Sequence, residues 1–507
     1  MNDEFERRFN AAKAHRRMYV EEDGREVYKF CFNGREQEWD DRTRNSDDPE
    51  EIFLESAATV AEEFYGDLFS TMTPENSPWA EFEAGNAVAE ENAEEAKSQI
   101  TEYETIMARS LRSSNYYDEG PIAFQDTVVG NLAMWVDRPT LSSPINCEAV
   151  PISELFLMIG PLGLEDRFRR QRFAYHSLPQ LFPEAKFPRE IEDKIKNSKT
   201  GTARVVRGFW RNYADPSNPV WRSEVRVDGK LIGVDDDIGE DGSCPLVVGR
   251  FNAYPGSAWG RGPGRRMLPM IRAFDELIRM NMEGMDRVLD PAFVYPHDGM
   301  LDLSDGIESG IGYPAMPGTA DAIQPLNFGN LDYGFFSEER MEQKLREGFY
   351  REIEQKGKTP PSASQYVGQE NKQVRRMARP ATKTWREFGI GLLKRFEHLE
   401  RQPGGMLENV ELPLLDDRTV IARPISPLER AQALQDVTTA DSIVGMVQER
   451  LGPEQAALLV DGPKTYRAIK DTLKDRLVEF RSEEQIMKMI QMMQQQQAPN
   501  EPQTGQG

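Results

Sequence analysis

The chain of 507 residues has few of the residue types that build disulfide or metal sites. Its three cysteines, Cys31, Cys147 and Cys244, are far apart and form no CxxC pair. Its four histidines are scattered, and no two of them stand at the spacing of metal ligands. The sequence therefore predicts neither a disulfide framework nor a zinc centre, and we expect no metal or other cofactor.

Long hydrophobic runs are also missing. No segment approaches the roughly 18 apolar residues of a membrane span. Residues 1–17 contain no apolar segment of the kind found in secretory signals. We therefore expect no membrane insertion and no signal peptide, and the unpaired cysteines fit synthesis in a reducing intracellular compartment.

Positively charged residues are fewer than negatively charged residues in this chain. The chain has 62 Lys and Arg residues against 85 Asp and Glu residues, which gives a net charge of −23. This balance argues against a protein that binds nucleic acid simply by neutralising its phosphates. The hydrophobic share of 38% and the charged share of 29% are typical of a globular body. The length favours about three domains.

Motifs for catalysis or nucleotide binding are absent from the sequence. Gly260, Gly262 and Gly264 lie in the run GRGPGR, which is not the dinucleotide-binding pattern GxGxxG. Pro263 stands where proline is favoured at the first position of a helix, so we interpret this run as a turn and a helix start. No HExxH or GxSxG motif occurs, and we assign no catalytic residue. Carboxylates are too numerous for a catalytic pair to be located, so an acidic enzyme remains an alternative.

The hydrophobic periodicity predicts an α+β fold. Helices are predicted at 1–20, 51–72, 86–113, 177–198, 264–288, 337–356, 362–402, 427–452, 453–471 and 482–497. Strands are predicted at 127–129, 132–136, 153–159, 204–210, 220–227, 231–232, 410–414 and 420–421. Asp228-Gly229 predicts a hairpin turn. The acidic segments 21–50 and 235–237 are predicted to be loops.

Two basic clusters interrupt the acidic background. The first is 167–172, which holds four arginines. For it we favour a solvated strand face, or pairing with carboxylates of its own or an adjacent subunit, over a surface that faces DNA or an acidic neighbour. The second comprises Lys372, Arg375, Arg376, Arg379, Lys383, Arg386, Lys394 and Arg395. The spacing from 372 to 386 places these charges on roughly one side of a helix. That side suits contact with DNA or with the acidic flank of a neighbouring subunit. A solvated face paired with carboxylates is the alternative.

Four segments stand in an order seen in one protein family. They are 68–74 followed by Trp79, 114–117 followed by 128–131, 259–263 followed by 267–271, and 459–461 followed by 482–484. The most specific segment is 259–263, Trp-Gly-Arg-Gly-Pro, which opens a long helix that closes at 290–291. From about residue 50 to residue 493, the sequence resembles the head-to-tail connector, or portal, proteins of short-tailed (podovirus) bacteriophages.

The resemblance implies a portal fold with long stem helices, a strand-rich clip, a mixed wing and a helical C-terminal crown. Projected onto this sequence, it gives N-terminal helices and wing at 1–176, a first stem segment at 177–202, the clip at 203–259, a second stem helix at 260–290, wing, channel loop and long helix at 291–402, the crown at 403–497 and a disordered tail at 498–507. The start of the stem helix would be formed by Gly260, Arg261, Gly262 and Pro263.

The resemblance also implies a ring of about twelve subunits at the unique capsid vertex, without enzymatic activity. Double-stranded viral DNA would pass through its channel during packaging and ejection. The implied partners are the major capsid protein, the scaffolding protein, the terminase and the tail adaptor, with assembly in the host cytoplasm and a final place in the virion. Residues facing DNA or a neighbouring subunit would be Lys372, Arg375, Arg376, Arg379, Lys383 and Arg386.

Two other classes of protein fit the same composition. One is an acidic cytoplasmic enzyme, which predicts a pocket with converging polar groups and a monomer or small oligomer. The other is a scaffold or interaction protein built on the helices, which predicts neither a ring nor a central hole.

Overall fold

The computed structural model describes residues 3–33, 35, 39, 52–75, 78–84, 93–197, 200–289, 293–294, 324–325, 332–351, 376–377, 379–410, 420–424, 437, 439–447, 449–450, 452, 464–466 and 468–469. The chain divides into two units, 1–424 and 425–507. In the second unit the described residues 439–447 are helical, with 448 outside the description. Residues 352–375 of the predicted region of wing, channel loop and long helix, most of the predicted crown and the tail 498–507 lie outside the described residues.

The helices of the first unit follow from local sequence signals. In chain order they are α1 Glu4–Tyr19, α2 Glu21–Cys31, α3 Ser56–Met72, α4 Ala93–Ser113, α5 Tyr116–Gln125, α6 Leu178–Leu181, α7 Arg189–Asn197, α8 Pro263–Leu289, α9 Asp332–Gly348 and α10 Ile390–Arg401. The carboxylate of Asp3 caps α1 by accepting a hydrogen bond from the Phe5 amide at 3.1 Å. A π-helical turn, Trp385–Gly389, leads directly into α10.

The strands form two larger antiparallel sheets and two short pairs. They are β1 Ala80–Ala84, β2 Asn131–Asp137, β3 Asn146–Ala149, β4 Leu155–Gly160, β5 Gly163–Ala174, β6 Thr202–Asn212, β7 Val220–Val227, β8 Lys230–Gly239, β9 Leu246–Arg250, β10 Phe293–Val294, β11 Gln324–Pro325 and β12 Val420–Pro424. A five-stranded sheet has the order β4-β5-β6-β7-β8, and a three-stranded sheet has the order β3-β2-β9. The short pairs are β1 with β12 and β10 with β11.

The five-stranded sheet is a meander in which each strand pairs with the next one along the chain. Asp228 and Gly229 make the two-residue turn between β7 and β8, and both have positive φ, 48° and 80°. Two positive φ values in succession match the twist of a hairpin, which is why this dipeptide is a strong turn signal. Val227 and Lys230 pair on either side of the turn.

The alternation of side chains along β6 gives the sheet two covered faces. Val206 and Trp210 point to the face on which α1 lies, where they pack with aromatic residues of α1, β4 and β5. Ala203 and Val205 point to the opposite face, where α6 and α7 pack. Apolar side chains of the packed helices therefore cover part of each face of the sheet.

The largest core surrounds the three-stranded sheet. It is lined by helices α3, α5, α8 and α10 and by the π-helical turn. Aromatic rings join these elements edge to face: Phe64 lies 5.4 Å from Phe251, and Phe124 lies 5.9 Å from Phe388. Such pairs add specific geometry to the burial of large apolar surfaces.

Much of the predicted secondary structure is confirmed. The strands predicted at 132–136, 204–210 and 220–227 are β2, β6 and β7, and the helices predicted at 51–72 and 264–288 are α3 and α8. The structure is a mixture of helices with antiparallel sheets, as predicted.

Three local predictions are wrong. Residues 127–129 were expected as a strand, but 126–128 form a 3₁₀ turn because the chain must bend before β2. The segment 21–50 was expected as a loop, but 21–31 form α2, with Val27 and Tyr28 buried. The acidic segment 235–237 lies inside β8, where the sheet edge leaves its carboxylates in solvent and Arg222 pairs with Asp236 at 3.0 Å.

The predictions for two further segments, 420–421 and 177–202, differ from the structure. Residues 420–421 belong to β12, which pairs with β1. Most of the predicted partner segment 410–414 lies outside the described residues. Among the described residues of 177–202, the α-helices are α6, of four residues, and α7, of nine residues. Strand β5 precedes the predicted first stem segment, and β6 begins at its end. Because β5 pairs with β6, one sheet contains strands from both sides of that segment.

We predict that Phe5→Ala destabilises the protein by about 3 kcal/mol, the usual cost of removing a buried ring. The Phe5 ring is buried 5.4 Å from Phe168 and 6.0 Å from Trp210. Urea unfolding measures the change. The matched control is Met18→Ala on the same helix, whose side chain is 77% exposed and which we expect to change stability by less than about 0.5 kcal/mol. Equal effects of the two substitutions would contradict the packing of α1 on the sheet.

Candidate functional site

The segment 259–264 joins the three-stranded sheet to α8. It follows β9 and ends where α8 begins, at Pro263. The predicted turn and helix start are therefore confirmed. Trp259 is fully buried in the main core, whereas the Arg261 side chain is exposed. We call residues 259–264 the stem junction.

Glycine is required in the stem junction because backbone lies against backbone there. A Cβ atom on Gly260 would stand 2.1 Å from the Gly130 carbonyl oxygen. A Cβ atom on Gly262 would stand 2.2 Å from the carbonyl oxygens of both Thr127 and Val128. These distances are too short for any side chain, so the two glycines allow α8 to start in direct contact with the turn before β2.

The amide groups of Gly260, Arg261 and Gly262 in the stem junction are used within the chain. The Gly260 amide donates to Asn131 Oδ1 at 2.8 Å. The Arg261 amide donates to the Phe251 carbonyl at 3.1 Å, and the Gly262 amide donates to the Val129 carbonyl at 2.9 Å. A loop that cradles phosphate presents free amides to its ligand. The stem junction is therefore a structural joint, as interpreted from the sequence.

Two buried arginines tie the stem junction to the rest of the molecule. Arg265 donates to the Gly260 carbonyl at 2.8 Å and to Asp23 of α2 at 3.0 Å. Arg250, at the end of β9, donates to the Ser257 carbonyl at 2.6 Å and to Glu387 at 3.0 Å. The sequence analysis did not single out this Arg–Glu pair, since its partners are 137 residues apart.

Helix α8 continues from the stem junction alongside α9. The two helices are antiparallel: Arg266, near the start of α8, donates to the Tyr350 hydroxyl just after α9 at 3.3 Å, and Asn281 donates to Glu338 at 3.4 Å. The 27 residues of α8 span about 40 Å. One face of its first half is buried in the core, whereas Met280, Met282 and Met285 in its second half are exposed.

The second basic cluster is divided by the structure. Arg376, Arg379, Lys383 and Arg386 are exposed, and their spacing of three and four residues places them on one side of their helix. We call these four residues the basic row; it spans about 15 Å. Lys383 lies 3.3 Å from Glu387. Within the described part of the chain, the three arginines of the row have no carboxylate partner. Lys372 and Arg375 lie outside the described residues.

The remaining two members of that cluster are structural. Arg395 is buried and donates to the carbonyl groups of Val136 at 2.9 Å and Ser243 at 2.7 Å. Burial lowers the pKa of Arg395. Lys394 pairs with Asp241 at 2.9 Å. These contacts hold α10 against the segment between β8 and β9, so neither residue belongs to an open basic face.

The first basic cluster, in β5, also serves the fold, as favoured from the sequence. Arg169 is buried and pairs with Glu148 at 2.5 Å and Glu154 at 2.9 Å. Arg167 lies over the Trp221 ring at 4.6 Å and donates to the Leu246 carbonyl at 2.7 Å. Pairing with carboxylates of the same chain is therefore confirmed for Arg169, whereas Arg167 contacts an aromatic ring and a backbone carbonyl and Arg169 is buried rather than on a solvated face.

Sites for other chemistry are not apparent among the described residues. No three His, Cys, Asp or Glu side chains in that part of the chain converge on a point that could hold a metal ion. None of the helices that the structure describes is long and apolar enough to cross a membrane. Burial raises the pKa of Cys31 and of Cys147 to about 12, which suppresses the reactive thiolate at neutral pH.

Comparison with known families identifies the class of this protein. The model of the bacteriophage head to tail connecting proteins matches residues 2–473. The chain therefore belongs to this family, as the sequence resemblance indicated. It is a structural protein that connects the head of a phage particle to its tail. No curated protein sequence matches it.

Two solved structures resemble the chain in part. One is from the virion of a native gene transfer agent particle; identity is 9%, the TM-score is 0.37, and 82% of this chain and 88% of that chain are covered. The other is from the neck of an empty gene transfer agent particle, computed with C6 symmetry. Its identity is 11%, its TM-score is 0.36, and 79% of this chain and 86% of that chain are covered.

We predict that Gly262→Ala destabilises the protein by about 3 kcal/mol or prevents folding, because the new methyl group has no space between two carbonyl oxygens. The control is Gly66→Ala in α3, where a Cβ atom meets nothing within 4 Å. That substitution should stabilise the helix by about 0.5–1 kcal/mol. Thermal unfolding of the two variants compares them, and a stable Gly262→Ala protein would contradict the backbone contact at the stem junction.

Proposed function

We propose that this chain is a portal protein: about twelve copies form a ring at one capsid vertex and enclose a channel for double-stranded viral DNA. The observation that carries this proposal is the connector-family match, which spans nearly the whole chain. In this role the ring docks the terminase during packaging and the tail adaptor afterwards. It also contacts the major capsid and scaffolding proteins during assembly in the host cytoplasm. It has no catalytic activity of its own.

The antiparallel helices α8 and α9 support a revised assignment of the stem. A portal stem needs two long helices with the clip between them. Helices α8 and α9 have 27 and 17 residues, whereas the helices of 177–202 are too short for this role. Strands β10 and β11 pair with each other, so the chain leaves and returns at one place between α8 and α9. We therefore assign the stem to α8 and α9 and the sheet of 155–239 to the wing, and the clip then falls in the chain between α8 and α9, most of which lies outside the described residues.

The acidic composition suits a passive channel. Each copy carries a net charge of −23, and a ring multiplies this charge by its number of subunits. A wall of predominantly negative charge repels phosphates, so DNA slides without being held by ion pairs. The force on the DNA then comes from a separate motor.

Electron microscopy of the purified protein in negative stain tests the ring. We expect particles with a central hole and about twelve-fold symmetry. Light scattering should give a mass of about twelve times 57.8 kDa. Small discrete particles without a hole, under all conditions of salt and concentration, would reject the ring and favour the enzyme or scaffold alternatives.

The basic row suits contact between neighbouring subunits. Its arginines are exposed on an acidic protein, and the described carboxylates of the same chain leave them unpaired. A closed ring needs two different complementary surfaces on each copy. Carboxylates of the next copy would neutralise the row, which leaves the passing DNA without strong cationic contacts.

We predict that the combined substitutions Arg376→Gln, Arg379→Gln and Arg386→Gln reduce ring formation at least tenfold at low protein concentration. The monomer should keep its thermal stability, because all three side chains are exposed. Analytical ultracentrifugation measures both species. The control carries Arg7→Gln, Arg17→Gln and Arg109→Gln, which remove the same charge from exposed sites elsewhere. Normal rings that package less DNA would instead assign the row to DNA contact.

A further inference from the structure

Two loops without charged residues meet beside the C-terminal end of α10. The first is 139–145, between β2 and β3, and the second is 402–407, after α10. Leu141 in the first loop is 68% exposed, and Met406 in the second is 36% exposed. The prolines 139, 144 and 403 are exposed as well. We call the exposed residues of the two loops the neutral patch.

The neutral patch is held in a fixed shape by hydrogen bonds within its loops. The Thr140 amide donates to Ser143 Oγ at 3.0 Å, and the Ser143 hydroxyl donates to the Thr140 carbonyl at 2.9 Å. The loops touch through their backbones, because a Cβ atom on Gly404 would stand 2.2 Å from the Leu141 carbonyl oxygen. Leu141 is therefore presented to solvent by an ordered turn, which lowers the entropic cost of binding a partner.

The charged groups that border the neutral patch are mostly neutralised within the chain. Arg138, which precedes the first loop, turns inward and pairs with the buried Glu400 at 3.0 Å. Arg401, which precedes the second loop, pairs with Glu397 at 2.9 Å. Glu408, which follows the second loop, accepts a hydrogen bond from a backbone amide of that loop at 2.8 Å. The patch is thus uncharged, and the arginines at its border are paired within the chain, on a chain whose net charge is −23.

We propose that the neutral patch is an interface with a second copy of this chain. Two copies repel each other over most of their acidic surfaces, and they approach most easily where charge is absent. A partner of opposite charge would instead be attracted to acidic surface, which this patch does not offer. Exposed apolar groups with a polar surround are typical of such contacts. This inference rests on the proposed ring and names one of its contact surfaces.

Leu141→Glu tests this interface by placing a charge at its most exposed apolar residue. We expect the variant to fold with unchanged thermal stability and to shift at least tenfold towards monomer in analytical ultracentrifugation. The conservative Leu141→Met variant should form rings like the parent protein. The matched control is Leu162→Glu at the tip of the β4–β5 hairpin, where the leucine is 64% exposed and the same charge should leave rings intact.

A thiol at the same position gives an independent readout. All three native cysteines are buried, so Leu141→Cys introduces an exposed thiol that a maleimide can label selectively. We expect rapid labelling in the monomer and at least tenfold slower labelling in the ring. Equal labelling rates in both states would overturn the proposal.

The outcomes separate this inference from the proposed ring. If the Leu141→Glu variant forms rings normally, the proposed interface is wrong, whereas the proposed portal function is unaffected. The same result combined with a failure to join heads or tails would assign the patch to another protein, which also overturns it. A parent protein that is monomeric under every condition would overturn both. Small oligomers without a hole, in which the thiol introduced by Leu141→Cys is protected, would support the interface and reject the ring.

Discussion

The direct contact between backbone segments at the stem junction is the constraint on which the first unit depends. Gly260 and Gly262 lie against carbonyl groups of the chain before β2, with no side chain between them. Their amides complete hydrogen bonds to that same region. Because the joint is built from backbone, the direction of α8 is fixed relative to the three-stranded sheet.

Buried arginines provide the second level of organisation in this acidic chain. Arg250, Arg265 and Arg395 each bind carbonyl groups or carboxylates from segments far apart in sequence. The planar guanidinium group offers five donors, so one side chain can join several loops at once. Because these arginines are bound inside the fold, they do not contribute to an exposed basic surface. The basic row is therefore a distinct cationic feature of the surface.

The sequence predicted those elements whose signals are local. Alternating residues identified β6 and β7. The Asp-Gly pair identified the turn between β7 and β8, and Pro263 marked the start of α8. The acidic segment 235–237 was misjudged because charge favours loops on average, yet an edge strand can expose charge on both sides. Arg395 was counted in the second basic cluster because it follows the other basic residues in the sequence, although burial against Val136 and Ser243 decides its role.

By itself, the sequence determined the mixed class of the fold, the absence of recognisable catalytic motifs and the resemblance to portal proteins, since composition, periodicity and short motifs carry that information. Only the tertiary structure decided which arginines are buried, that α8 pairs with α9, and that two uncharged loops far apart in the sequence form one surface. These features depend on contacts between distant segments, and such contacts are created by packing and leave no periodic trace in the chain.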